Sequence, residues 1–348
     1  MNASLRKKIF VGMSGGVDSS VSALILKNKG YDVVGVHLRC WNIDGCSEDD
    51  TEDARRVAEI LDIPFYVFDF TDEYQERVVS YMVSEYKKGR TPNPDVMCNN
   101  QIKFGLFFDK AMKLGADYIA TGHYVKKKNN SLYQASEKNK DQSYFLWTLD
   151  KEKIKKSLFP LGDFKTKAEV RELAREYKLL TASKKDSQGI CFIGKVSLSE
   201  FLKKYIKAKD GRIVSEDGKI LGSHTGAYQY TVGQRHGLGV GGFPTPLYVL
   251  KADVKKNLVV LAPESSKSFL TYGVNLSEVV VDKEVKKKKV LARFRYRQPL
   301  VKAELVKSNG SYKVIFKEPQ RFVALGQSVV FYEDDGRMLG GGVIEEKF

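Results

Sequence analysis

The first legible pattern is an apolar run at 9–13, too short for a helix and without helical spacing. It is followed by the polar turn Ser14-Gly-Gly-Val-Asp18. Apolar positions then recur at helical spacing (Val21, Leu24, Ile25) until Gly30. The pattern predicts strand, tight turn, helix. It recurs as a strand at 31–38, a helix with Val57, Ala58 and Leu61 on one face, and a strand at 63–70. Helices at 72–88 and 101–114 and a strand at 118–121 follow. Strands separated by helices at this rhythm predict an α/β fold with a parallel sheet covered on both faces, its ligands outside the carboxyl ends of the strands. Asn129-Asn130-Ser131 marks a hairpin turn, and helical stretches are expected near 151–157 and 165–177.

From about 211 the pattern changes. Glycines become dense and short β-branched runs alternate with turns. An all-β stretch is expected at 205–265, then strands near 279–281, 290–296, 302–305, 312–316, 328–332 and 341–344, which suit a small β-barrel. The expected domains are 1–204, 205–268 and 269–348. A strand running through 296 would put Arg293, Arg295 and Arg297 on one face, a basic surface suited to an RNA backbone.

Composition narrows the function. At 348 residues and 42% hydrophobic, the chain can build two or three ordinary cores. No apolar run reaches membrane-spanning length, and four cysteines at unrelated spacings make no disulfide framework, so a reducing, cytoplasmic setting is the expectation. The net charge of +15 is uneven: −4 over residues 1–100 and +19 over 101–300. The surplus lies away from the first turn and favours a polyanion larger than a nucleotide, with nucleic acid the first candidate.

Three stretches carry candidate chemistry. In the loop Gly12, Met13, Ser14, Gly15, Gly16, Val17, Asp18, Ser19, two glycines let the backbone approach a ligand, and the following helix offers unpaired N–H groups to an anion. No Gly-Lys-Ser/Thr follows, so it is not a Walker loop. In 89–100, Pro92 and Pro94 argue against helix, and Asn99 or Asn100 would cap the helix that follows. Cys98 then stands just before a helix N-terminus, where the dipole favours thiolate, with Asp95 three residues earlier. In 184–193, Lys184 and Lys185 stand near enough to depress the pKa of Cys191. Each cysteine taken alone reads as packing. His37, Cys40 and Cys46 lack a fourth ligand and a zinc-like spacing, so no metal site is expected there.

The loop resembles the pyrophosphate loop of the N-type ATP pyrophosphatases. Together with Thr91-Pro-Asn-Pro-Asp-Val-Met-Cys-Asn99, Ala120-Thr-Gly-His-Tyr124, Lys140-Asp-Gln-Ser-Tyr-Phe-Leu146, Asp186-Ser-Gln-Gly-Ile-Cys-Phe-Ile193 and Thr231-Val-Gly-Gln-Arg-His-Gly-Leu238, it resembles the tRNA-specific 2-thiouridylase family over essentially the whole chain. The resemblance implies a pyrophosphatase domain, a central β domain and a C-terminal β-barrel. It implies ATP, with Mg²⁺, adenylating the C2 oxygen of the wobble uridine of a tRNA, which a persulfide sulfur then replaces. Cys191 would carry the persulfide, delivered by a cysteine desulfurase or sulfur-relay protein. Cys98 would open it, either releasing hydrosulfide or ending as a Cys98–Cys191 disulfide, and Asp95 would be the acid/base group. Gly12 to Ser19, Leu38 and Gly122 would hold the nucleotide. Asp95, Val96, Met97, Cys98 and Asn99 would adjoin the flipped base, and His123, Lys140, Asp141, Gln142, Arg295, Tyr296 and Gln327 would meet tRNA. Family members often carry Asn or Lys before the tryptophan matching Trp41, where this chain has Cys40. A different pyrophosphate-loop ligase, an iron–sulfur thiolase and a non-catalytic RNA-binding protein are the rival readings.

Overall fold

A computed structural model of the chain describes residues 6–40, 46–185, 197–282, 286–308 and 310–348. They fall into two compact units, one from 6–78, 94–185 and Asp335–Met338, the other from Val79–Asn93, 197–334 and Leu339–Phe348. Cys191, Trp41 and the Cys46 side chain lie outside the described residues. Among the described residues, no helix is long and apolar enough to cross a membrane.

The first unit is built on a parallel sheet. Its strands are β1 (Lys8–Gly12), β2 (Asp32–Arg39), β3 (Phe65–Asp69) and β4 (Tyr118–Ala120). A hairpin, β5 (Lys126–Lys128) and β6 (Ser131–Tyr133), stands apart, and β7 (Ser157–Leu158) completes the sheet in the order β3-β2-β1-β4-β7. The hairpin turn holds Asn129 and Asn130 at φ 48° and 59°, left-handed backbone that asparagine tolerates and a two-residue hairpin needs. Helices α1 (Val17–Asn28) and α2 (Cys46–Ile60) follow β1 and β2. Ile9, Val11, Val21, Leu24, Val33, Val57, Val170 and Leu179 form the core between sheet and helices. Chain order runs outward from β1 through β2 to β3 on one side and passes to β4 on the other. The crevice at the carboxyl ends of β1 and β4 is therefore the switch point where such sheets bind ligands.

Two longer helical stretches depart from the sequence expectation. Helix α3 (71–87) carries a π-helical segment, Gln75–Val79. Helix α4 (94–113) begins at Pro94, seven residues earlier than expected, and passes through the π-helical Asn99–Leu106. Proline forbids a helix interior but suits its first turn, where the missing N–H has no partner to lose. Cys98 consequently lies inside α4 rather than in front of its N-terminus, and the dipole argument for its thiolate does not apply.

Three shorter helices, α5 (Lys151–Lys155), α6 (Lys167–Glu176) and α7 (Leu198–Lys203), precede the β-rich part. In the second unit, β8 (Gly211–Ser215), β9 (Ile220–His224), β10 (Leu247–Asp253) and β11 (Leu258–Pro263) form a four-stranded sheet over Ile213, Val249, Val259 and Leu261. The remaining strands are β12 (Thr271–Val281), β13 (Lys287–Arg293), β14 (Val301–Ser308), β15 (Ser311–Gln320), β16 (Ser328–Tyr332) and β17 (Met338–Lys347). They close a six-stranded barrel around Val274, Leu305, Val314, Val329, Phe331 and Ile344.

The barrel closes where β17 meets β12, whose register slips between Ser277 and Val280. Gly340 makes that contact possible: its φ is +139°, and a Cβ there would run into the Val280 carbonyl. Gly340→Ala is therefore expected to cost about 2–4 kcal/mol of barrel stability. A urea midpoint equal to that of the parent protein would contradict this.

Candidate functional site

The loop after β1 has the geometry of an anion cradle. Gly15 takes φ +73°, and a Cβ on it would strike the Asp50 carbonyl of α2. Among the described residues no side chain caps α1 at Gly16, so the first N–H groups of the helix are open to a ligand. Ser19 is buried and shapes the turn, its Oγ accepting from the Ser14 N–H (3.1 Å) and donating to the Gly16 carbonyl (3.0 Å). Ser14 is exposed and Val17 buried. Met13 is fixed from β2: its N–H donates to Val36 O at 2.7 Å, and its carbonyl lies 2.9 Å from His37 Nδ1. Burial lowers the His37 pKa, so the ring is neutral and donates Nδ1–H. Leu38, one residue on, is half-buried opposite Phe68.

The exit from β4 completes the crevice. A Cβ at Gly122 would stand 2.8 Å from Ser19 N and 3.1 Å from Asp18 Cβ, so only glycine lets this segment lie against the first turn of α1. Tyr124 reaches the same place, its hydroxyl donating to Asp18 Oδ1 at 2.7 Å. Gln142 holds Tyr124 by its backbone at both ends: its N–H donates to the Tyr124 carbonyl and its Oε1 accepts the Tyr124 N–H. Asp141 is 1% exposed and accepts from Gln134 Nε2, Ala135 N and Ser143 N. It organises the segment from inside, and half-buried Lys140 precedes it.

Sequence reasoning missed Lys167. Its Nζ lies 2.6 Å from both carboxylate oxygens of Asp18, 149 residues away in the chain, and over the Tyr124 ring. One signal was available. Lys167 is the first residue of α6, capped by Thr166, and a cation there opposes the helix dipole. Tyr124 was visible only as the last residue of a motif.

Helix α4 carries the second centre. Asp95 stands in its first turn, half-buried; burial raises its carboxyl pKa and the Lys103 ammonium offsets part of the rise. Val96 is buried and Met97 half-buried. Cys98 is 4% exposed and forms no disulfide among the described residues. His123 ties this helix to the crevice. It is buried, with its ring centroid 5.9 Å from Phe104 of α4 and 6.5 Å from Phe159, and Nδ1 2.8 Å from Thr121 Oγ1. The structure thus places His123 in packing, not on the surface. Lys184, expected to act on Cys191, has its ammonium held by Asp50 (2.7 Å) and Asp53 of α2. Against the burial that lowers its pKa, these two carboxylates hold it above the usual value.

The remaining candidates lie in the second unit. Strand β13 ends at Arg293, which is buried with its guanidinium over the Tyr332 ring. Arg295 and Arg297 are exposed in the turn that follows, where Arg297 takes φ +64° and lies over the Tyr296 ring. The expected shared face of three arginines does not form, because the strand stops before their alternation can. Gln327 Nε2 donates to the carbonyls of Thr91 (3.0 Å) and Pro92 (3.1 Å).

Three family models match successive parts of the chain. One is described as tRNA methyl transferase HUP domain (residues 7–195), one as tRNA methyl transferase PRC-barrel domain (199–263) and one as Aminomethyltransferase beta-barrel domain (273–344). Full-length relatives carry the name tRNA-specific 2-thiouridylase MnmA. That of Streptococcus thermophilus is 43% identical over 100% of this chain and 98% of its own. That of Mycoplasmopsis synoviae is 46% identical over 98% and 96%, and that of Christiangramia forsetii 41% identical over 97% and 100%.

His123 generates a pH prediction. Burial between Phe104 and Phe159 holds its pKa well below 6.5, so below pH 6.5 the unfolded chain binds a proton that the folded chain refuses. Stability present above that pH should fall as the pH is lowered, by up to ~1.4 kcal/mol per pH unit. His123→Phe should flatten that slope whatever it does to stability at pH 7.5. Urea midpoints at several pH values, unchanged in slope by the substitution, would contradict the assignment.

Proposed function

The chain belongs to the tRNA-specific 2-thiouridylase family and is an enzyme of the tRNA-uridine 2-sulfurtransferase kind, and we propose that it works by adenylating the C2 oxygen of a tRNA wobble uridine with ATP and replacing that oxygen with sulfur. The observation that carries the mechanism is the segment 121–124. Within one unit it lies against the anion cradle through Gly122 and Tyr124 and against the Asp95–Cys98 helix through His123.

A carbonyl oxygen is a poor leaving group, and bonding it to the α-phosphorus of ATP makes it a good one. The open N–H groups of α1 bear the charge of the phosphates, and Lys167 stands ready to share it. Leu38 and Gly122 line the place of the adenosine. Asp18 has both carboxylate oxygens on Lys167 and one on the Tyr124 hydroxyl; with the Lys167 ammonium turned to the phosphates, Asp18 would hold Mg²⁺, and the ion would supply further charge neutralisation. Asp95 takes the N3 proton as O2 attacks phosphorus and pyrophosphate leaves. Sulfur reaches C2 from a persulfide on Cys191, supplied by a desulfurase or relay protein, and AMP departs. Cys98, as thiolate, attacks the Cys191 sulfur, and the Cys98–Cys191 disulfide forms as the sulfur–sulfur bond breaks, leaving its electron pair on the C2-bound sulfur, which becomes the thiocarbonyl. The exposed Arg295 and Arg297, with Tyr296, offer cation and ring to the RNA backbone.

The family models' descriptions name a methyl transferase, and one assay separates the two readings. Unmodified tRNA is incubated with protein, ATP, Mg²⁺, a persulfide source and a methyl donor such as S-adenosylmethionine, and its nucleosides are weighed. An ATP-dependent exchange of oxygen for sulfur in uridine is expected; an added methyl group would overturn the reading. In the same assay Asp18→Ala should abolish AMP formation with tRNA affinity within ~2-fold, because phosphate contacts elsewhere dominate that affinity. Cys98→Ser should stop thiolation while AMP still forms. Full thiolation by Cys98→Ser would remove Cys98 from the chemistry.

A further inference from the structure

Asn99 follows Cys98 in α4 and is 3% exposed. Its Nδ2 faces the Phe145 carbonyl at 3.5 Å, the outer limit of a hydrogen bond, and its Oδ1 has no partner among the described residues. A buried acceptor left unpaired is costly and calls for an explanation. Asn99 is also where α4 widens into its π-helical segment, a distortion that recurs at functional sites. Four residues earlier stands Asp95. Residues at this spacing stand on one side of a helix, so Asp95 and Asn99 lie about one turn apart on the same side of α4. Lys103 continues that face one turn on. It is the described charge that bears on Asp95, and the Cys98 thiol is the other ionisable group of this part of the helix.

A carboxylate and an amide carbonyl are both acceptors and give each other nothing. Once the carboxyl is protonated it becomes a donor, and the carbonyl beside it is its natural acceptor. We propose that Asn99 is a positioning residue for proton transfer at Asp95: its Oδ1 accepts the O–H of Asp95 in the acid form. This rests on the activity proposed above. As O2 bonds to phosphorus, the N3–H bond breaks, its electron pair forms the N3–C2 double bond, and the proton moves to Asp95. When sulfur adds to C2, Asp95 returns the proton to N3. Between these steps Asn99 holds the acid, fixing the O–H direction for its return. A bond made to the neutral form alone also moves Asp95 towards the working pH, where a general base is most effective.

The test is the pH profile of single-turnover thiolation by the full chain on unmodified tRNA, for the parent protein, Asn99→Ala and Asn99→Asp. Asn99→Ala removes the acceptor, so the acidic limb should move to lower pH and the plateau fall about 10-fold. Asn99→Asp places a second carboxyl beside Asp95, and the limb should move to higher pH. Asn99→Ala should keep a melting temperature close to the parent value, while Asn99→Asp, which buries a carboxyl, should lose some. An acidic limb at the same pH in both variants overturns the proposal. So does an Asn99→Ala variant that loses melting temperature with its limb unmoved, since a buried structural water on Oδ1 would behave that way. Full activity of Asp95→Asn would overturn the role of Asp95 itself and Asn99 with it, whereas unmoved limbs with an inactive Asp95→Asn would leave the proposed reaction standing.

Discussion

The site depends on one close approach, the exit of β4 against the first turn of α1 at Gly122. Any larger side chain there would push against Ser19 N and Asp18, and the two strands flanking the switch point would part. Because glycine permits the contact, Tyr124 arrives with its hydroxyl on Asp18 and His123 with its ring on Phe104. Four consecutive residues thereby fix the loop after β1 and the cysteine helix to the same scaffold.

Electrostatics divides the two centres. Around the loop, charges are paired: Asp18 with Lys167, and Asp50 and Asp53 with Lys184. A polyphosphate entering such a site exchanges one set of ionic partners for another and does not create a buried charge from nothing. Along α4 the arrangement is the opposite. Asp95 is half-buried with Lys103 to offset its burial, and Asn99 Oδ1 has no partner among the described residues. The first centre suits binding a permanent anion and the second suits moving a proton.

Much of this was legible in the sequence. Strand periodicity and turn residues located the parallel sheet, the Asn129–Asn130 hairpin and the closing barrel, because local pattern and tertiary burial agree there. The loop could be read because its glycines and its place between strand and helix are both local features. Three things were hidden, each for a physical reason. Pro94 reads as a helix breaker until its position in the first turn is known. The alternation of Arg293, Arg295 and Arg297 imitates a strand that a left-handed turn at Arg297 ends. Lys167 meets Asp18 only through the fold, since helix α6 must pack beside α1 before the pair exists, and no spacing in the chain encodes that distance.

The central claim is that the uridine oxygen leaves bonded to the phosphorus of AMP. Its most direct test is to supply tRNA carrying heavy oxygen at C2 of the target uridine and follow the label through one turnover. The mechanism predicts that the heavy oxygen appears in the phosphate of AMP, one atom for each thiouridine formed. Label released to water, or carried off in pyrophosphate, would contradict it.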